Sequence, residues 1–296
     1  MVDVVERGTT ELAAPEDEQA VREAVLRYSR EIAFAAAEVY AQAAEARGAW
    51  DARLEDLVVD AILRGETDDA LTSRATALGW AEVSGVAVVA GRSSTPISGS
   101  ATIDDLRRAL TRFGCQSLVA VQRHRLVVIL GGVDNPTRTT AAVAGFFGDG
   151  PIVVGSTVGH LFEAAVSARD ALAGLAAVAA WPQAPRPVLA DELLPERALN
   201  DDRQARDVLV ERIVRPLQTA SRQPLLETAD VFLASGHSLE QTARLLFVHP
   251  NTVRYRLGRI GDLTGYDLQH PRDAMAAGLA LAYARLADDE PVATPR

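Results

Sequence analysis

From Pro15 to about Trp50, the stretch "AVREAVLRYSREIAFAAAEVYAQAAEARGAW" is rich in alanine and brings Val25, Leu26, Ile32, Ala36 and Val39 round at helix-like spacings. A second helix is predicted around Asp51 to Arg64, with Leu54, Leu57, Val58, Ile62 and Leu63 as its apolar positions. A long alanine-rich helix with an apolar seam either pairs with a copy of itself or is buried within its own chain, and the pattern leaves both open.

From about Gly79 the period changes. "SGVAVVAG" (Ser84 to Gly91) reads as a buried strand and "IDDLRRALTRFG" (Ile103 to Gly114) as a helix stopped by glycine. "SLVAVQRHRLVVILGG" reads as a hairpin with strands near Ser117–Val121 and Leu126–Leu130. "NPTRTTAAVAGFFG" resumes a helix, "PIVVGST" gives another strand, and a helix follows from about His160 to Trp181. The succession β-α-β-β-α-β is that of the ferredoxin-like or split βαβ arrangement. Proline punctuation in "PQAPRP" precedes "DDRQARDVLVERIVRPL", a helix expected to end near Pro216, and "TASRQP" is a second loop.

The last unit carries the most specific pattern. After "LLETADVFLASG", a helix closed by Gly236, Ser238 and Gln241 match an S/T-x-x-E/Q capping box. Ala243 is small where two helices would cross, and Leu245 and Leu246 are expected to face a core. Phe247-Val248-His249 breaks the helix, and Pro250 suits the first turn of the next. Helix, tight turn, helix is the helix-turn-helix motif. At about 100° per residue, Val253, Leu257 and Ile260 share one side of the second helix. Asn251, Tyr255 and Gly258 lie opposite, with Thr252 and Arg259 on one shoulder, Arg254 on the other, and Arg256 nearer the buried edge. Asn251, Thr252 and Tyr255 are therefore assigned to base edges of double-stranded DNA, and Arg254, Arg256 and Arg259 to phosphates.

Charge qualifies that assignment. The formal net charge is −10, and all 30 basic residues are arginine, which in itself is no sign of DNA binding. Between Ala243 and Gly261, however, stand Arg244, Arg254, Arg256 and Arg259 and no acid, a local +4. From Leu225 to Arg296 seven arginines face nine acids, a net −2. Any DNA contact thus depends on one concentrated face, and on two copies of it in a homodimer or a larger even oligomer.

"LFVHPNTVRYRLGRI", with "LLETADVFLASG" before it and "DAMAAGLALA" after it, resembles the C-terminal helix-turn-helix domain of the PucR/CdaR family of bacterial transcription regulators. "RPVLADELLPERAL" is similar to the family's connecting segment, and the middle region resembles its degenerate GGDEF-like domain. The segment from Leu26 to Gly65 looks closest to the branch of fatty-acid-synthesis regulators, in which a helical sensor domain precedes this helix. The sequence is accordingly expected to be part of a longer chain or a shorter gene product. The expected fold class is α+β: N-terminal long helices, a central ferredoxin-like, degenerate GGDEF-like α/β domain, and a C-terminal all-α helix-turn-helix domain. The expected boundaries are a helical segment at 1–50, the α/β domain at 51–185, a linker with a helix at 186–223, the DNA-binding domain at 224–290 and a frayed tail at 291–296.

Other chemistries are poorly provided for. In the resembled fold, acids that hold Mg²⁺ sit in the hairpin between the second and third strands; here that hairpin reads "VQRHRLV", so no cyclase and no enzymatic activity is expected. "GGVD" reads as a strand exit into a helix near Pro136, and "GSTVGH" as a strand–helix turn rather than an anion site. Arg123, His124 and Arg125 at the hairpin tip read as a solvated turn, with an acidic effector or partner as the alternative. The histidines are scattered and form no metal-spaced cluster with Cys115, so neither metal nor cofactor is expected. One cysteine allows no intrachain disulfide, which fits a cytoplasmic protein. The N-terminus lacks the apolar core of a signal peptide, and "LAGLAAVAAW" is too short to span a membrane. The reading is thus a sequence-specific DNA-binding regulator, with an effector of unknown identity allowed for. Its alternative is a ligand-sensing protein-interaction module that does not touch DNA.

Overall fold

The computed structural model describes residues 17–94, 100–220 and 224–288. The N-terminal "MVDVVERGTTELAAPE", the middle of the "TASRQP" loop and the tail at 291–296 lie outside the described residues.

The two N-terminal helices expected from the sequence are one. Helix α1 runs from Glu18 to Arg64 without a break. The only helix-breaker near the expected junction is Gly48, which costs about 1 kcal/mol relative to alanine but does not forbid a helix; no proline stands there. The chain divides at Leu57/Val58 into two compact units. In the first, α1 leaves Tyr28, Ile32, Phe34, Val39, Tyr40 and Trp50 exposed.

The second unit opens on the last turns of α1 and α2 (Asp69–Ala77), which Asp68 caps by accepting the Leu71 N–H at 2.8 Å. Its sheet is built from β1 (Ser84–Ser93), β2 (Gln116–Gln122), β3 (Arg125–Gly131) and β4 (Phe147–Val154), in the order β2-β3-β1-β4 with antiparallel neighbours throughout. That order is the split βαβ topology the pattern predicts. Helix α3 (Ser100–Thr111) crosses from β1 to β2, and α4 (Pro136–Ala142) follows β3. Two short strands extend the plan: β5 (Val158–His160) pairs with the start of β1, and β6 (Val188–Leu189) adds to β4 in parallel. Helix α5 (Ala164–Ala177) lies between them in sequence.

Both faces of the sheet are covered, which is why its strands read as continuous apolar runs rather than as alternation. Val86, Val88, Val127 and Ile129 pack against the end of α1, α2 and α5. Ala87, Val89, Val128 and Leu130 pack against Leu106 and Leu110 of α3. "GGVD" is explained here: a Cβ on Gly131 would lie 2.4 Å from Val83 Cγ1, and Gly132 takes φ 72°. Cys115 is buried in the second of these cores, and burial pushes its thiol pKa up, away from nucleophilic use.

The stretch expected as a linker with a helix does more than connect. It comprises α6 (Leu194–Leu199), α7 (Arg203–Leu209), a π turn at Val210–Val214 and α8 (Arg215–Thr219). The helix therefore passes the expected stop at Pro216. Proline lacks an N–H, and its ring crowds the carbonyl four residues back; the wide π turn just before it relieves that crowding. Four more helices complete the described residues: α9 (Leu225–Ala234), α10 (Leu239–Leu245), α11 (Pro250–Thr264) and α12 (Pro271–Asp288). Leu209, Ile213, Val214 and Leu217 share a single core with Phe232, Val253, Leu257, Ile260 and Ala280.

Buried charges join the layers. Arg197, 3% exposed, donates to Asp170 of α5 at 2.7 Å, to Asp202 at 2.8 Å and to the Ala190 carbonyl at 3.1 Å. Its neighbour Glu196, equally buried, reaches the other way: Arg272 of α12 donates to it twice, at 2.6 and 2.8 Å, and stacks 3.4 Å from the Trp181 ring centroid.

Candidate nucleic-acid interface

The site is assembled by three helices. At the start of α10, Ser238 Oγ accepts the Gln241 N–H at 3.2 Å, the half of the capping box that the serine supplies. Thr242 is fully buried, and its hydroxyl meets the Ser238 carbonyl at 2.7 Å and Ser235 Oγ at 2.8 Å, which fastens α10 to the end of α9. Ala243, 3% exposed, sits in the core as the spacing suggests. Leu245 does not: it is 55% exposed. The inner stripe of α10 is Leu239, Thr242, Ala243 and Leu246, and Leu245 falls outside it on this two-turn helix.

The turn closes with the Val248 N–H on the Ala243 carbonyl at 3.0 Å. Phe247 adopts φ 55°, a left-handed conformation that favours glycine, and its ring is 95% exposed. Sequence reasoning missed this residue as a surface feature; the signal was an aromatic at the centre of a tight turn with no partner in either stripe. His249 caps α11 through Nδ1, which accepts the Asn251 N–H at 3.2 Å, and Pro250 fills the first turn. Gly265, at φ 79°, ends the helix. Tyr266 beyond it is half-buried, and burial raises its phenol pKa against the opposing pull of the Arg212 guanidinium.

Helix α11 buries Val253, Leu257 and Ile260 and turns its other side outward. Asn251, Arg254, Tyr255, Gly258 and Arg259 are exposed, while Thr252 and Arg256 are half-buried. Arg254 donates to Asn251 Oδ1 at 2.7 Å, so a base-edge group and a phosphate group from the sequence assignment are hydrogen-bonded neighbours here. Arg259 lies 3.6 Å from Asp262, both ends exposed, a pairing of at most about 1 kcal/mol that leaves the guanidinium able to move. Arg256 is engaged differently. Its Nη1 donates to Thr228 Oγ1 at 3.2 Å, and Thr228 is fully buried in α9, so this arginine fastens α11 to its neighbour with part of its donor set.

A helix-turn-helix with an exposed cationic recognition face, joined to a ferredoxin-like α/β layer, is the architecture of a transcriptional regulator. Comparison with known proteins agrees domain by domain. Residues 225–283 match the PucR C-terminal helix-turn-helix domain, and residues 64–177 match a GGDEF-like domain. An uncharacterised protein of Mycobacterium tuberculosis is 45% identical over 285 residues, covering 93% of this chain and 69% of that protein. The crystal structure of a regulator of polyketide synthase expression from Bifidobacterium adolescentis superposes with a TM-score of 0.70 at 33% identity, covering 79% of this chain and 93% of that one. The purine catabolism regulatory protein of Bacillus subtilis is 42% identical over 64 residues, 22% of this chain and 12% of that protein. The chain belongs to the PucR family of transcriptional regulators. Among the described residues, no helix is long and apolar enough to cross a membrane.

Proposed function

We propose that this regulator binds operator DNA directly, with α11 in the major groove. The observation that carries the proposal is the outward face of α11, where Asn251, Arg254, Tyr255 and Arg259 stand exposed opposite the buried Val253, Leu257 and Ile260. Asn251, Thr252 and Tyr255 face base edges; Arg254 and Arg259 hold phosphates. Arg256 has further N–H donors beyond the one given to Thr228 and contributes to the phosphate side while setting the angle of α11.

The binding unit is a homodimer. In α1, Val25, Ile32 and Val39 recur every seventh residue, with Val21, Tyr28 and Ala35 between them. These spacings are those of the a and d positions of a coiled coil, with β-branched residues at a. The regulated genes proposed are those of fatty-acid synthesis. The α1 segment resembles that branch of the family, and the similar Bifidobacterium protein is a regulator of polyketide synthase expression. The domains proposed are a helical segment at 1–50, the GGDEF-like domain at 51–185, the connecting segment at 186–223 and the DNA-binding domain at 224–290.

The test is fluorescence anisotropy of the intact chain against a fragment from upstream of its own gene, at two salt concentrations. Tight binding that weakens steeply with salt and resists non-specific competitor is expected. No binding at low salt would sink the proposal. It would favour a second reading, in which the exposed Phe247 and Leu245 make the module a protein-contacting surface.

Gly258 gives a separate check. A Cβ placed there meets nothing within 4 Å, so nothing inside the protein requires the glycine. Gly258→Ala is expected to stabilise the fold by up to about 1 kcal/mol while weakening DNA binding, because the methyl group stands where the phosphate backbone approaches. Urea unfolding and anisotropy on one variant read both; unchanged affinity would place the DNA elsewhere.

A further inference from the structure

At one end of the sheet two arginines oppose each other. Arg92 of β1 and Arg125 of β3 are direct cross-strand partners, so their side chains leave the same face about 5 Å apart at Cβ. Like charges so placed are destabilising. Among the described residues, no ion pair compensates Arg92, Arg125 or the adjacent His124. The row across the sheet continues to Gln122, whose amide is bonded to Asp60 rather than to either arginine. The hairpin tip is held in place: the His124 carbonyl accepts the Ser93 N–H at 2.8 Å, and Arg123 takes φ 56°, unfavourable for a side chain of its kind.

These cations line a groove of about 280 Å³, together with Pro151 of the adjoining strand β4 and Leu175 and Ala176 of α5. Leu175 and Ala176 come from the last turn of α5, whose carbonyl end repels anions, so a bound anion seats on the sheet side, between the guanidinium groups. In a chain of net charge −10, an uncompensated cationic pair beside a small apolar wall is a binding arrangement rather than a packing one.

We propose that this groove binds a small phosphate-bearing anion: Arg92 and Arg125 clamp the phosphate, His124 adds a third polar group, and a short organic part lies on Pro151 and Leu175. Paired guanidinium forks match phosphate oxygens two at a time. The groove volume lies at the lower end for ligand sites, which limits the ligand to a compact one. The proposal is independent of how α11 is used.

The experiment is thermal unfolding of the intact chain in inorganic pyrophosphate, compared with sodium chloride at equal ionic strength. The expected result is a saturable rise in Tm of roughly 5 °C or more at about a hundredfold excess over the Kd. The double variant Arg92→Gln/Arg125→Gln should lose that rise and, without ligand, melt no lower than the parent, since the like-charge pair is gone. Arg254→Gln/Arg259→Gln should keep the rise, which separates this groove from the cationic face of α11. Absence of a saturable rise, a rise that survives in the first variant or vanishes only in the second, or a first variant less stable than the parent would each overturn the proposal.

Discussion

Replacing Arg197 with alanine is expected to lower stability by about 3–5 kcal/mol, the usual cost of removing one partner from a buried ion pair. The guanidinium is 3% exposed and satisfies three acceptors at once: the Asp170 and Asp202 carboxylates and the Ala190 carbonyl. Without it, the Asp170 carboxylate remains 5% exposed with the Ser156 hydroxyl as its remaining hydrogen-bond donor. A loss of that size is a large fraction of the ~5–15 kcal/mol that holds a typical domain together. The measurement is urea unfolding of Arg197→Ala, with Arg197→Lys and Asp170→Asn alongside. Lysine keeps the charge but cannot fork to three acceptors, so an intermediate loss is expected. In the alanine background, Asp170→Asn should cost less than it does alone, because the stranded charge is already the problem. A loss below about 1 kcal/mol for Arg197→Ala would show that the network is solvated in solution.

The second large effect is on DNA. Arg254→Ala/Arg259→Ala is expected to weaken binding to operator and non-specific DNA alike. It should reduce the slope of log K against log salt by roughly two units per module, hence about four for a dimer. Neither side chain has a buried partner: Arg254 bonds exposed Asn251 and Arg259 faces exposed Asp262. Stability should therefore change little, and the loss is readable as lost phosphate contacts. Asn251→Ala should do the reverse, shifting preference at one base position by about 1–3 kcal/mol with the slope intact. Arg256→Ala is predicted to mix two effects, because the residue also holds Thr228 of α9. Its salt slope should fall by about one unit per module, and its unfolding midpoint should fall too. An unchanged slope in the double variant would mean that α11 does not lie along the phosphates.

Much of the C-terminal unit was legible because its signals are local. A serine cap, a proline start and the spacing of Val253, Leu257 and Ile260 are each read within a few residues, and each lies where the spacing puts it. The sheet order was likewise legible, since a hairpin flanked by two helix-linked strands leaves few topologies. What escaped depends on distant neighbours. Leu245 has the composition of a core residue and the wrong phase. Arg256 looks like one more surface cation until α9 brings Thr228 to it. Asp170, the adjacent Glu196 and Arg197, and Arg272 come from three distant stretches of sequence, and charged residues are ordinarily solvated, so nothing local marks them as buried. Pro216 announces a helix end, and only the preceding π turn lets the helix pass it.

The shared core of α6 to α12 has a practical side. A helix-turn-helix module is commonly treated as transplantable at the connector before it. Here a cut before Pro224 would strip Leu209, Ile213, Val214 and Leu217 from beneath Phe232 and Ile260, and would leave Arg272 without Glu196. A chimera that borrows this regulator's DNA specificity must carry the second compact unit whole, because Arg197 reaches back to Asp170 of α5 and β6 pairs with β4.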